Sequence, residues 1–108
     1  MTTKMDTYCS VESAERLKEL GVAQESKEYF RTNAFMELLG SPPEKCSAFT
    51  EDELDDLLPR GCETWKGTYE GKPVWIVWNP IDWSTTQDER RVEAKAKMLR
   101  RILGDKTV

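Results

Sequence analysis

The chain has 108 residues, a formal charge of −4, and 33% charged against 38% hydrophobic residues. That length supports one core rather than two, and that charge fraction supports a well-solvated surface, so a single soluble domain over residues 1–108 is expected and global disorder is not. No apolar run approaches the roughly 18 residues needed to span a bilayer, and residues 1–9 are polar, without a secretory apolar stretch. The chain therefore reads as cytoplasmic, with no membrane partner and with residues 1–9 as a disordered tail.

The first periodic segment spans residues 10–21. Val11, Ala14, Leu17 and Leu20 recur at helical spacing, Ser10 is placed to cap the first turn, and Gly21 is placed to end the helix in a left-handed conformation. Residues 27–39 fit two patterns, because Tyr29 and Phe30 suit a strand whereas Ala34, Phe35, Leu38 and Leu39 also form a helical stripe. Strands are favoured. Gly40, Ser41, Pro42 and Pro43 break either element, and a loop is expected as far as Phe49.

Thr50 and Glu53 have the spacing of a capping box, which starts a second helix with Leu54, Leu57 and Leu58 buried and Pro59 as its stop. Residues 62–69 and 73–78 are rich in aromatic and β-branched side chains, and Glu70-Gly71-Lys72 between them supplies a glycine for a tight reversal. This hairpin is the strongest strand signal. Val74, Ile76 and Trp78 are expected to face the core, which leaves Trp75 and Val77 on the other face. Thr86 and Glu89 look like a second capping box, opening a last helix over residues 87–103 with Val92, Ala96, Leu99 and Leu103 as its stripe, Met98 and Ile102 flanking it, and Gly104 closing it. The predicted fold class is α+β: a small antiparallel sheet centred on the tryptophan-rich hairpin, a long C-terminal helix on one face and two shorter helices near its edges.

The chemistry-bearing residues are sparse. The absence of histidine removes the commonest general base and zinc ligand, and Cys9, Cys46 and Cys62 are too widely spaced for a C-x-x-C pair, so they read as free thiols. Glu51, Asp52, Glu53, Asp55 and Asp56 do not follow an EF-hand spacing and are better placed to meet a helix dipole than to hold a cation. No glycine-rich phosphate loop is present. No catalytic residue, metal or cofactor is implied, and no small-molecule substrate.

Charge is uneven: residues 89–106 hold seven Lys/Arg against three Asp/Glu, on an otherwise acidic chain. Electrostatic docking of the last helix explains this. Alternatively, Arg90, Lys97 and Arg101, opposite the apolar stripe, offer a small basic face to nucleic acid, although the acidic remainder opposes a long duplex. The four tryptophans, all between Trp65 and Trp83, either fill a thin core or mark an interface.

Residues 85–103 (Thr-Thr-Gln-Asp-Glu-Arg-Arg-Val-Glu-Ala-Lys-Ala-Lys-Met-Leu-Arg-Arg-Ile-Leu) resemble the C-terminal helix of small uncharacterised phage and prophage proteins, which ends in an Ala-x-Ala-x-Met-Leu core. Phe49-Thr50-Glu51-Asp52-Glu53-Leu54 with Leu57-Leu58-Pro59 is similar to the element preceding their aromatic strands. Here Lys95 stands where those helices carry an acid. The resemblance covers about half the chain and implies a phage or mobile-element origin. The expected function is a non-enzymatic protein–protein interaction module acting on a host or phage protein, with Trp75, Val77 and Trp83 as the contact patch and a homodimer as an alternative occupant of that patch.

Overall fold

The computed structural model describes residues 7–32 and 44–108. Among them are three helices, α1 (Val11–Glu19), α2 (Glu51–Leu57) and α3 (Arg91–Ile102), and five strands, β1 (Tyr29–Thr32), β2 (Glu44–Ser47), β3 (Glu63–Tyr69), β4 (Lys72–Trp78) and β5 (Thr85–Asp88). The fold is α+β. There are two antiparallel sheets rather than one: β1 pairs with β2, and the other three strands form a sheet in the order β3-β4-β5.

Helix α3 is the hub. One side of it packs on β4, where Ala94 and Met98 bury Val77, while Val92, Ala96 and Leu99 join Ala14, Leu17, Phe49 and Leu54 in the main core. Two alanines at this crossing let neighbours approach from both sides, so the buried surface is broader than the single stripe expected. Ile102 and Leu103 lie exposed instead, beyond the last packed turn. Helices α1 and α2 pack on α3 and do not flank the edges of the three-stranded sheet.

The local signals that rest on backbone chemistry behave as the sequence implies. Ser10 Oγ accepts from Ser13 N, Gly21 (φ 91°) ends α1, and the Val22 N–H reaches back to Leu17 O at 3.0 Å. Thr50 and Glu53 form the reciprocal capping box at the start of α2. Glu70 and Gly71 both have positive φ (52° and 79°), the geometry of a two-residue type I′ hairpin turn, so Lys72 already belongs to β4.

Five further expectations are corrected. Of the tail expected over residues 1–9, Tyr8 bridges to Thr50 and Cys9 lies 2% exposed with its N–H on Phe49 O, so these two belong to the fold; residues 1–6 are outside the described residues. The loop expected up to Phe49 contains β2, whose pairing with Tyr29–Thr32 is a tertiary event that four residues cannot signal alone. The rest of the ambiguous segment, residues 33–43, is outside the described residues. On α1, Val11 is exposed and Ser13 buried, because the Ser13 hydroxyl serves a polar network with Glu93 and Arg100. On α2, Leu57 is exposed while Leu54 and Leu58 do the packing. Thr86 and Glu89 do not cap a helix: residues 85–88 pair with β4, the Thr86 hydroxyl donates to Ala94 O at 2.8 Å, and α3 starts only at Arg91.

The buried polar network ties the ends of the chain together. Glu93, 5% exposed, accepts from Ser10 N (2.7 Å), Ser10 Oγ (2.8 Å) and Ser13 Oγ (2.7 Å). Arg100 donates to Ser13 Oγ, Asp105 and Thr107, and Asp105 also takes both Nε and Nη2 of Arg16. Each buried charge thus has a charged or hydroxyl partner, the condition under which burial is tolerated.

Candidate functional site

In the three-stranded sheet the register assigns every side chain to a face. Trp75 lies opposite Lys66 and Asp88, and Val77 opposite Thr64 and Thr86; this is the inner face, against α3. Trp65 lies opposite Ile76, Gly67 opposite Val74, and Ile76 opposite Gln87; this is the outer face. Of the described elements only α3 packs broadly on the sheet, and it takes the inner face.

The expected orientation of β4 is therefore reversed with respect to α3, although Val74, on the face away from that helix, is buried as expected at 7% exposure. Val77 is fully buried under Ala94 and Met98 and cannot belong to an accessible patch. Trp75 is half-buried beside it, with the Arg91 guanidinium 5.0 Å and the Lys66 ammonium 5.7 Å from its ring centroid. A strand apolar on both faces gives no periodic cue to orientation; the contact with α3 decides it, with Val77 buried against Ala94 and Met98 and Trp75 packed beside them.

The outer face is aromatic and open. Trp65 and Tyr69 are about half exposed, Ile76 and Trp78 are half-buried, and Val74 on the same face is buried. Gly67 contributes to its flatness: Ile76 Cδ1 lies 2.8 Å from where a Cβ would stand, so the isoleucine lies across the glycine next to the Trp65 indole.

The loop joining β4 to β5 extends this face. Buried Asn79 organises it: Asn79 Oδ1 accepts from Ile81 N, Asn79 O accepts from Trp83 N, and Asn79 N donates to Ser84 O, all at 2.9–3.0 Å. Asp82 Oδ1 accepts from the hydroxyl and N–H of Ser84, bonds that hold its carboxyl below the usual carboxylate range. Trp83 emerges from this frame with φ 63°, a left-handed conformation costly for a bulky residue. Its ring meets Trp78 edge-on at 5.8 Å, yet it is 78% exposed, and Ile81 on the same loop is 73% exposed. Trp65, Tyr69 and Trp83 are thus large aromatics left in water on this face and its loop, and exposed aromatic surface is often a sign of function.

The predicted basic residues do not converge. The Arg90 guanidinium donates to Tyr8 O and lies 3.7 Å from Glu93; Lys97 pairs with Asp88 at 2.9 Å; Arg101 is exposed and reaches Val108 O. The charge asymmetry is spent largely on docking, since Lys95 pairs with Asp55 at 2.9 Å and Arg91 with Glu51 across the α2–α3 contact.

Burial pushes the Cys9 thiol up to about 12, and burial likewise raises Cys46 and Cys62. Of the residues expected at the site, Trp83 alone is prominent on the open face. Trp65, Tyr69, Ile76, Trp78 and Ile81 were missed. Gly67 and Asn79-Pro80 were the available signals, one marking a flat strand and the other a structured turn. No family model, curated protein or solved structure matches this chain.

Proposed function

We propose that the chain is a non-enzymatic interaction module that binds a protein partner through the outer face of the β3-β4-β5 sheet, with Trp83 as its anchor. One observation carries this reading: Trp83 is held in a strained backbone conformation by a hydrogen-bonded loop, yet most of its side chain stands in water. Strain of order 1–3 kcal/mol at a solvent-facing tryptophan gives the folded chain nothing by itself, and such strain clusters at functional sites. Tryptophan and tyrosine lead among interface hot spots because they present large rigid area at small entropic cost. The raised thiols and the paired buried carboxylates favour binding over catalysis, and the resemblance of the helical segments favours a phage-type origin with a host or phage protein as target.

The test is affinity purification from the source cell, with wild-type chain and Trp83→Gly as baits. A protein retained by the first and lost by the second is expected. Equal retention by both, or no protein retained by wild type, contradicts the proposal.

A further inference from the structure

We infer that β3 is a pairing edge, and that two copies of the chain join antiparallel along it to make one six-stranded sheet with a continuous aromatic outer face. This is independent of the partner reading above, and either can fail alone. It starts from the backbone. Strand β3 is an edge strand seven residues long, contains no proline, pairs one-to-one with β4 without a bulge, and has no second neighbour among the described residues. Natural sheets guard edges of this length with prolines, bulges, outward charges or covering elements. Lys66, the central charge of β3, has its ammonium over the Trp75 ring on the inner face. The opposite edge differs: β5 has only four residues, and Lys97 Nζ lies 3.3 Å from Gln87 O.

The phase of the free edge follows from the turn. A two-residue turn closes on the hydrogen-bonded pair Tyr69–Lys72, so bonds to β4 alternate through Tyr69, Gly67, Trp65 and Glu63, and the N–H and C=O groups of Thr64, Lys66 and Thr68 point outward. Pro73 agrees with this phase, since it lies opposite Thr68, where β4 has no N–H to donate to β3.

Those outward groups admit a self-complementary register. A two-fold axis at Gly67 sets Lys66 against Thr68 of the second copy in hydrogen-bonded pairs on both sides of the axis. It also sets Trp65 against Tyr69 of that copy, twice, so that the two half-exposed aromatics of the strand stand side by side across the seam. Nothing of like charge is opposed, and the axis falls on two glycines at a non-hydrogen-bonded pair, where backbones approach most closely. A register centred on Lys66 would set that lysine against itself. The ladder is short, so the dimer is expected to be roughly micromolar or weaker.

Sedimentation velocity from about 1 to 500 µM is expected to show a concentration-dependent monomer–dimer equilibrium. Thr68→Pro removes an outward N–H and no hydrogen bond to β4, and should give a monomer across that range with an unchanged circular dichroism spectrum. Register is read separately, and without relying on that variant's folding, by disulfide trapping in a Cys62→Ser background. Lys66→Cys and Thr68→Cys chains should cross-link when mixed and not when each is alone. A wild-type monomer throughout, a dimer that persists in a folded Thr68→Pro chain, or cross-linking of Lys66→Cys with itself overturns the inference. The purification with Trp83→Gly reports on the partner surface whichever way this falls.

Discussion

Trp83 separates folding from binding at a single residue. Glycine at this position relieves the left-handed strain but forfeits the edge-on contact with Trp78, two effects of opposite sign and each about 1 kcal/mol. Trp83→Gly is therefore expected to move the stability measured by urea unfolding by less than about 1 kcal/mol, while weakening partner binding by about 2 kcal/mol or more, roughly thirtyfold in Kd. Glu93 is the contrasting case, a residue whose worth is structural. Its loss would leave the buried donors of Ser10 and Ser13 without their acceptor, so Glu93→Ala should destabilise by about 3 kcal/mol in the same unfolding measurement.

At the scale of elements, sequence-level legibility depended on whether the deciding interaction was local. The capping box at Thr50 closes over three residues and was readable, as was a tight reversal at Gly71, though not its two-residue type I′ form with Lys72 in the strand. Thr86 and Glu89 carry the same spacing, but four residues of β4 outcompeted the cap, and Asp88 now accepts from Arg90 N. Glu53→Ala should accordingly cost about 1 kcal/mol, and Glu89→Ala less than about 0.5 kcal/mol, a difference that parallel urea titrations would resolve. The facing of β4 was unreadable for a different reason, because both of its faces are apolar and the choice lay with side chains on α3. The C-terminal tail depends on charge. Hydrogen bonds from Arg16, then Thr107 and Arg100, hold the Asp105 carboxyl well below the usual carboxylate range. Because the folded-state value is depressed, the associated stability is fully present above the unfolded value of about 4 and is lost as pH falls from there through the folded-state value. Wild type and Asp105→Asn should thus differ most in unfolding midpoint above about pH 4 and converge in stronger acid.

At the scale of the whole molecule, α3 divides the chain into a closed side and an open one. On the closed side, α1, α2 and β2 surround it with apolar contacts and with ion pairs from Arg91 and Lys95 to Glu51 and Asp55. These pairs are partly exposed and screened, so raising sodium chloride to about 1 M should cost no more than about 1 kcal/mol of stability. On the open side, the three-stranded sheet presents Trp65 and Tyr69 to water and its β4–β5 loop presents Ile81 and Trp83. The exposed residues Val11 and Leu57 belong to α1 and α2 and serve as internal controls. The division is tested most directly by covalent footprinting of the chain alone and in complex with its captured partner. Protection is expected at Trp65 and Trp83 with Val11 and Leu57 unchanged; protection of Val11 and Leu57 with Trp83 unchanged would contradict it.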